Sequence, residues 1–419
     1  MLANRFSRTP LTPRNLSLVL IAFVLALCYG IWYAYSVIMV TLLREFGWSR
    51  SLLAGAFSVF TLVHGSVNPL IGMLCDRLRP ERLMAWGGAA LGLALWADSL
   101  IESPWHLYLG FGVFTAVTVA ACGWVPAVVL VHRRFQDRLG LALGIVSAGV
   151  GAGILLVVPL CQFLIDAIGW RMMFRVLGAL CVACIVPASL VLERLSQSPS
   201  AAPHPQPAAA TARSGAAALT LREAMRTAPF WLILAGFFFG NVCSQTLHVH
   251  QVAFLVDHGI AAIVAASVVG VVGLASIVGK IGGGWLSDRM EREIVYVAGV
   301  AIMVASAGAL LLVGAAPSHW GAYAYAVMLG VGYSVTASLI PAMTSDRFSG
   351  PHFGAIVGVG LFGSALGSAA GPWLAGWLFD LTGSYTLPFG IAAACGAVAA
   401  GTGWVLRTLR MRAQAGLRG

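Results

Sequence analysis

Residues 72–77 read GMLCDR and residues 284–289 read GWLSDR, so the spacing G-x-L-x-D-R occurs twice, 212 residues apart. Each copy lies at the end of an apolar run, 52–75 and 262–286, long enough to cross a bilayer, since a membrane helix needs about 20 such residues. A repeat at equivalent points of two halves is typical of transporter folds. The repeat therefore predicts a membrane protein built from two related units.

The composition is that of an integral membrane protein. Of the 419 residues 59% are hydrophobic and 10% are charged, and the mean hydropathy is +0.88. A soluble domain carries about 25% charged residues. The net charge of +10 does not indicate nucleic-acid binding, because the arginines are spread over short segments between apolar runs. We expect the lipid bilayer as surroundings and no nucleic-acid partner.

Twelve apolar runs of this kind occur between charged breaks. A helix is the structure that satisfies its backbone hydrogen bonds within one apolar segment. The predicted fold class is therefore all-α integral membrane, with twelve transmembrane helices in two pseudo-symmetric six-helix bundles. The predicted spans are 16–43, 52–75, 83–101, 106–131, 139–165, 171–191, 230–256, 262–286, 295–315, 320–344, 354–379 and 385–406.

A segment rich in Pro, Ala and Ser, Ser196–Ala218, separates the halves and is predicted to be a flexible linker. The predicted division is an N-terminal six-helix bundle at 1–194, a cytoplasmic linker at 195–229 and a C-terminal bundle at 230–419. With the N-terminus inside, 20 arginines fall on cytoplasmic segments and four on outer loops. The positive-inside rule thus predicts a multi-pass protein of the cytoplasmic (inner) membrane with both termini in the cytoplasm.

Lys280 is the only lysine of the chain and lies within the apolar run 262–286. A cation at the centre of a membrane helix costs roughly 3 kcal/mol on insertion scales, so it usually faces a water-filled cavity or a counter-charge. A lone positive charge in that setting is suited to bind a small anion. The alternative is that Lys280, about eight residues from Asp288, extends its apolar stem to the membrane surface.

The two G-x-L-x-D-R segments resemble the signature of the major facilitator superfamily, where it recurs between helices 2 and 3 and between helices 8 and 9. In that family the Asp and Arg latch the two halves together on the cytoplasmic side. The resemblance implies gating roles for the corresponding residues, which are Asp76, Arg77, Asp288 and Arg289.

Further segments resemble one branch of that superfamily, the monocarboxylate transporters and oxalate–formate antiporters, and the resemblance covers essentially the whole chain. The segments are FGWSR at 46–50, RLGLALG at 138–144, GWR at 169–171, GP at 371–372 and FDLTGSY at 379–385. In this branch an arginine of the eighth helix binds the substrate carboxylate, within G-R-x-x-x-G-x-x-S/A-D-R. Residues 279–289 match that pattern with Lys280 at the arginine position, which implies a substrate-binding role.

Three departures from the branch bear on the substrate. Lysine is a compact point charge rather than a planar fork, so we expect looser selection of the carboxylate geometry. Val37 and Ser276 stand where animal monocarboxylate transporters carry a lysine and an aspartate, so the animal mechanism does not transfer directly. Helix 11 of oxalate–formate antiporters has a second basic residue, whereas 354–379 contains no charge. One cation favours a monocarboxylate over a dicarboxylate.

The seventh span carries the second group of ionisable residues. The pattern His-x6-Asp-x-Gly at 250–259 resembles bacterial members of the branch and makes Asp257 the candidate proton-coupling residue and His250 a candidate cavity residue. The alternative for Asp257 is that it ends the helix at the outer surface. At 1.5 Å per residue, the levels of Asp257 and Lys280 differ by ~20 Å or more, so we expect no direct ion pair.

Seven further side chains are candidate substrate-binding residues because of their predicted depth, near the membrane centre or at the level of Lys280. A mostly apolar wall with a few hydroxyl groups suits a short organic acid, and helix packing is the alternative role of each residue. They are Cys28, Tyr29, Val119, Ile145, Tyr333, Phe362 and Ser364.

These features together predict a secondary active transporter that carries a small, L-lactate-like monocarboxylate with a proton, by alternating access and as a monomer. The alternative is an organic anion exchanger of the oxalate–formate type. The sequence shows no nucleophile–base pair, no metal-ligand set and no phosphate-binding loop, so we predict no enzyme activity, no cofactor and no metal site.

Overall fold

The computed structural model describes residues 13–135, 139–197, 219–348 and 353–416. Twelve long helices follow one another through these ranges, and a single helical turn, Leu221–Ala224, precedes the seventh. The helices are α1 Pro13–Phe46, α2 Arg50–Arg77, α3 Pro80–Asp98, α4 Pro104–Arg134, α5 Leu139–Ile168, α6 Trp170–Gln197, α7 Ala228–Asp257, α8 Ala262–Ser287, α9 Arg292–Ala315, α10 His319–Arg347, α11 Phe353–Thr382 and α12 Thr386–Gly416.

The predicted twelve-helix fold is confirmed, and each helix overlaps one predicted span. Among the described residues, ten of the helices are long and apolar enough to cross a membrane, and α3 and α10 are outside that set. In α3 the charged residues Glu81 and Arg82 lower the mean hydropathy of a helix of only 19 residues. Most of the predicted linker, Ser196–Ala218, lies outside the described residues, so the division at 195–229 stays a prediction.

Successive helices run in opposite directions, so both termini lie at one end of the bundle, here called the terminus-bearing end. The connections that follow α2, α4, α6, α8 and α10 lie at that end, and the other connections lie at the opposite end, here called the far end. Within the N-terminal half α1 packs on α5 and α3 on α6, and in the C-terminal half α8 packs on α10 and α7 on α11. Among the described residues, the main contacts between the halves are those of α5 with α8, α2 with α11 and α1 with α7.

Equivalent ion pairs support the two-fold repeat. At the terminus-bearing end Arg134 pairs with Glu81 at 3.0 Å, and Arg347 pairs with Glu293 at 3.0 Å. The two glutamates are 212 residues apart, which is the offset of the G-x-L-x-D-R copies. Each arginine also donates to a main-chain carbonyl of the last helix of its own half, at 2.8 Å. These pairs stabilise each bundle separately and do not cross between the halves.

Glycine allows α1 and α5 to approach closely. A Cβ atom at Gly149 or Gly153 would lie 2.2 Å or 2.0 Å from the carbonyl oxygen of Ala22 or Ala26, respectively, so a larger residue would push the helices apart. In a membrane such close backbone approach replaces part of the hydrophobic driving force that holds soluble helices together.

We expect Gly153→Val to destabilise the protein by about 1–3 kcal/mol, because overpacking a tight helix contact forces the backbone to shift. The measurement is thermal unfolding of the purified protein in detergent. The matched control is Gly308→Val in α9, where an added Cβ would meet nothing within 4 Å. Equal melting temperatures for the two variants would contradict the assignment.

Candidate functional site

The halves separate toward the terminus-bearing end, as the α5–α8 pair shows. Gly151 and Gly273 face each other so closely that a Cβ at Gly273 would lie 2.6 Å from the carbonyl oxygen of Gly151. Further toward the terminus-bearing end, a Cβ at Gly144 of α5, or at Gly282 or Gly284 of α8, would find no neighbouring atom within 4 Å in the part of the chain that the structure describes. The two helices therefore diverge below their glycine contact.

The α2–α11 pair follows the same course. Near the far end the hydroxyl of Ser58 donates to the carbonyl of Ala369 at 2.6 Å, and a Cβ at Gly65 would lie 2.7 Å from Ala365. Toward the terminus-bearing end, a Cβ at Gly358 would meet no atom of the described residues within 4 Å. Both pairs thus converge toward the far end, and the cleft between the halves opens at the terminus-bearing end.

Four residues close the far end, and we call them the far gate: Arg50, Asp257, Asp380 and Tyr385. One guanidinium nitrogen of Arg50 donates to Asp257 Oδ2 at 2.5 Å and another donates to the hydroxyl of Tyr385. The guanidinium also lies over the ring of Phe379, 3.9 Å from its centroid. Arg50 belongs to the N-terminal half and all its partners belong to the C-terminal half.

Asp380 strengthens the far gate through the backbone. Its two carboxylate oxygens accept hydrogen bonds from the amides of Arg50 at 3.0 Å and Ser51 at 2.9 Å. These amides belong to the first turn of α2, where the helix dipole favours a negative charge. A carboxylate of one half therefore caps a helix of the other half.

Asp257, the predicted proton-coupling residue, is the last residue of α7 and lies at the far end. Its side chain is 37% exposed, against 12% for its partner Arg50. The structure thus pairs Asp257 with Arg50 and not with Lys280. It also agrees with the alternative that Asp257 ends the helix at a surface, because the carboxylate remains reachable from solvent.

Lys280 lies in the cleft between the halves. Its ammonium donates to the carbonyl of Ser147 on α5 at 3.2 Å, and the side chain is partly buried. Ser147 is eight residues inside α5, so the ammonium does not extend to the membrane surface as the alternative required. Within the described ranges no carboxylate lies within ion-pair distance of Lys280. The only cation of α8 is therefore held by a single neutral dipole.

The four predicted gating residues at the terminus-bearing end are exposed and stand apart. Asp76, Arg77, Asp288 and Arg289 form no ion pair within the described part of the chain. The guanidinium of Arg289 lies over the ring of Trp285 on its own helix, 3.6 Å from the centroid. This arrangement agrees with the open cleft at the same end.

His250 lies beneath the far gate and not beside Lys280. It is fully buried, its Nε2 donates to the carbonyl of Pro372 at 2.9 Å, and its Nδ1 accepts from the hydroxyl of Tyr385 at 3.0 Å. Both ring nitrogens are thus occupied within the C-terminal half. In this state the structure does not offer His250 to a ligand.

Two other predicted cavity residues are also enclosed. Cys28 is fully buried, with its sulfur 3.3 Å from that of Cys122, and Val119 is fully buried on α4. Both lie inside the N-terminal bundle because they occupy the face of their helix that packs on its neighbour, a choice that depth alone did not predict. The structure does not bring either side chain to the cleft.

The remaining predicted residues are at least partly accessible, apart from Tyr333, which is buried. Tyr29 stacks on Trp32 with ring centroids 5.8 Å apart. Ile145, two residues from Ser147, is 40% exposed, and Phe362 is 51% exposed. Ser364 is partly buried on α11.

A group of polar side chains lies above Lys280, and of its members only Tyr333 was predicted as a site residue. We call the group the polar roof: Tyr33, Gln245, His248, Ser276 and Tyr333. The ring of His248 lies 5.1 Å from that of Tyr33 and 4.7 Å from that of Tyr333, centroid to centroid. The Tyr33 hydroxyl lies near Gln245 and Tyr333, and the Tyr333 hydroxyl lies near Ser276. The roof brings together α1 of one half and three helices of the other.

The sequence contained signals for both unpredicted features. Arg50 lies within the FGWSR segment that resembles the branch, and Ser276, a departure from the branch, lies one helical turn before Lys280. Among the described residues, no three His, Cys, Asp or Glu side chains are grouped so that they could hold a metal ion.

Breaking the Arg50–Asp257 pair should open the far end. We expect Asp257→Asn to lengthen the distance between spin labels at His106→Cys and Ala316→Cys, which are exposed far-end positions in opposite halves. The distance is measured by double electron–electron resonance spectroscopy. The parent for these variants has serine in place of the partly exposed Cys184 and Cys395.

The matched control for this experiment is Asp166→Asn. Asp166 is an acidic residue of α5 near the far end that accepts a hydrogen bond from Gln162 at 2.7 Å and is not part of the far gate. The distribution of distances between the two spin labels in Asp166→Asn should equal that of the parent. Identical distributions for parent and Asp257→Asn would contradict a gating role of the pair.

Comparison with known proteins places this geometry in context. The profile of the Major Facilitator Superfamily matches residues 21–327 and 249–418. Among solved structures, a bacterial homologue of the human lysosomal transporter Spinster, in an inward-facing and occupied conformation, superposes with a TM-score of 0.71. Its sequence is 16% identical, and the match covers 93% of this chain and 96% of that chain, so it supports the fold alone.

The proteins of similar sequence include several monocarboxylate transporters. Monocarboxylate transporter 12-B of Danio rerio is 28% identical over 346 residues, which is 77% of this chain and 72% of the relative. Monocarboxylate transporter 13 of Bos taurus is 26% identical over 384 residues, covering 88% and 83%, respectively. Monocarboxylate transporter 11 of Mus musculus is 27% identical over 374 residues, covering 87% and 80%. The resemblance derived from the sequence motifs is thereby confirmed.

Proposed function

We infer that this chain, which belongs to the Major Facilitator Superfamily, carries a small monocarboxylate together with a proton across the cytoplasmic membrane. The observation that carries the proposal is the ammonium of Lys280, which lies in the cleft between the halves and, among the described residues, hydrogen-bonds to a carbonyl rather than to a carboxylate. The names of the relatives support a monocarboxylate as the substrate. We propose that the monomer is the working unit and that the terminus-bearing end faces the cytoplasm.

A carboxylate is the natural ligand of this lysine. A partly buried cation without a counter-charge is costly in a membrane, and an anion that binds it forms a charge-assisted hydrogen bond and cancels the charge. The loaded protein then closes its cleft without burying an unpaired ion. A ligand shifts a conformational equilibrium only through a difference in affinity between the states, and neutralisation of Lys280 supplies that difference.

The position of Lys280 links binding to movement. The side chain belongs to the C-terminal half, while its present acceptor, Ser147, belongs to the N-terminal half. An arriving carboxylate replaces this carbonyl and thereby frees α8 from α5. When the cleft closes at the terminus-bearing end, the gating residues Asp76, Arg77, Asp288 and Arg289 latch the halves, while the far gate opens.

Asp257 supplies the coupling to protons. Protonation of its exposed carboxylate removes the negative charge that holds Arg50, so a proton from the far side loosens the far gate. Closure of the gate restores the pair and expels the proton from Asp257. Tyr385 and His250 extend from Arg50 toward the interior and provide hydrogen-bonding groups along which the proton leaves on the cleft side.

One observation favours a second candidate function, an organic anion exchanger of the oxalate–formate type. Asp257 is already held by Arg50, so the far gate closes without a proton on this residue. An exchanger would return to the other side only with an anion on Lys280. The single cation of α8 still favours a monocarboxylate in both cases.

Replacement of Lys280 should abolish transport. We expect Lys280→Ala to lower uptake of L-lactate into proteoliposomes by roughly 100-fold, because loss of one partner of a buried charge pair costs about 2–5 kcal/mol. Lys280→Arg is the matched control, since it keeps the charge, and it should retain transport. Undiminished L-lactate uptake by Lys280→Ala would contradict the assignment of the anion site to α8.

Proton coupling can be tested independently of substrate binding, by comparing net L-lactate uptake with counterflow. We expect an inward proton gradient to drive net L-lactate uptake, a proton ionophore to abolish it, and Asp257→Asn to lose this uptake while retaining lactate–lactate counterflow. Counterflow does not require net proton movement, so it reports the anion site alone. Uptake that needs an internal anion and resists the ionophore would instead establish exchange.

A further inference from the structure

We propose that the polar roof holds a second substrate subsite, in which Gln245 and His248 accept a hydrogen bond from the hydroxyl group of a 2-hydroxy acid. The proposal rests on the proposed function, because it requires the carboxylate of the same acid to be bound at Lys280. It names the substrate class as hydroxylated rather than plain short-chain acids.

The first observation is an acceptor without a donor. His248 Nδ1 lies 2.7 Å from the carbonyl oxygen of Ser244, and because a carbonyl can only accept, this nitrogen carries the hydrogen. The lone pair is therefore on Nε2. His248 is 3% exposed, and its Nε2 has no hydrogen-bond partner within the described ranges.

A second such acceptor lies beside the first. The side-chain oxygen of Gln245 is also buried and finds no donor among the described residues, with the residue 7% exposed. Gln245 and His248 are three residues apart on α7, so their side chains share one helix face. Buried polar atoms are nearly always hydrogen-bonded, and two unsatisfied acceptors on one face indicate a missing donor.

The position of these acceptors relates them to Lys280. The ring of His248 lies close to those of Tyr33 and Tyr333, and the Tyr333 hydroxyl lies near Ser276. Ser276 precedes Lys280 by one helical turn, a rise of about 6 Å. In the proposed pose the carboxylate of a three-carbon acid is bound to the ammonium and its second carbon is directed toward the polar roof. Tyr33 comes from the other half, so the subsite is complete only where the halves meet.

The chemistry of the roof selects among substituents. An amide oxygen and an imidazole lone pair attract a hydroxyl donor and repel a second carboxylate. A 2-hydroxy acid such as L-lactate satisfies them, whereas propionate, which differs only by the missing hydroxyl, leaves both unpaired. Sites built to hydrogen-bond a substrate hydroxyl discriminate strongly against the analogue that lacks it, because their own polar groups stay unsatisfied.

The test is a comparison of L-lactate and propionate in proteoliposomes that contain the purified full-length chain. We expect the parent to transport L-lactate with kcat/KM roughly tenfold above that for propionate, the effect of about one buried hydrogen bond. Gln245→Leu and His248→Phe, which keep size and shape, should bring the ratio close to one, mainly through the KM for L-lactate. Two variants are used so that a folding defect in one does not decide the outcome.

The matched control is Tyr325→Phe. Tyr325 is a buried tyrosine of α10 whose hydroxyl donates to Gln251 at 3.0 Å, outside the polar roof, so its removal should leave the ratio unchanged. A parent ratio near one, or a ratio that both α7 variants preserve, would overturn the subsite. If transport of both acids still depends on Lys280, the proposed function survives that result. Transport of neither acid would overturn both proposals.

Discussion

Arg50 joins the two halves of the molecule at the far end, and the shape of the cleft below depends on that junction. The residue belongs to α2, yet its guanidinium contacts Asp257, Tyr385 and Phe379, all from the other half. Its backbone amide is held by Asp380 as well. A cation with so many partners is stabilised despite its low exposure, because opposite charge and hydrogen bonds replace its hydration. With the helices held together here, their divergence is confined to the terminus-bearing end.

Lys280 differs from Arg50 in its partners. Arg50 is paired across the halves, whereas within the described part of the chain Lys280 hydrogen-bonds across the cleft to a carbonyl oxygen and to no carboxylate. The two cations therefore differ in how much a new partner stabilises them: a carboxylate adds little to Arg50 but a great deal to Lys280. This asymmetry connects conformation to ligand, since an anion at Lys280 alters the contact between α5 and α8, and a proton at Asp257 alters the contact between α7 and α2.

Particular residues show how far sequence reasoning extends. The period and length of the apolar runs predicted all twelve helices, and the unusual lysine within one of them predicted the cation in the cleft, because charge within a membrane segment is costly in any fold. Depth along a helix was a weaker guide. Cys28 and Lys280 are both deep, but Cys28 faces a neighbouring helix of its own bundle. His250 and His248 are two residues apart, and only their different helix faces send one to the far gate and the other to the polar roof.

The sequence by itself therefore determined the helices, the internal repeat and the position of the lone lysine within α8. These are properties of hydrophobicity and charge along the chain, and each segment's own hydrophobicity and charge determine whether it spans the bilayer as a helix. The tertiary structure decided which half supplies the partner of each charged or polar group. Arg50 meets Asp257 and Asp380, each more than 200 residues away from it in the chain, only because α2, α7 and α11 converge at one end. The orientation of a helix about its axis is set by packing against its neighbours, and a single segment does not contain that information.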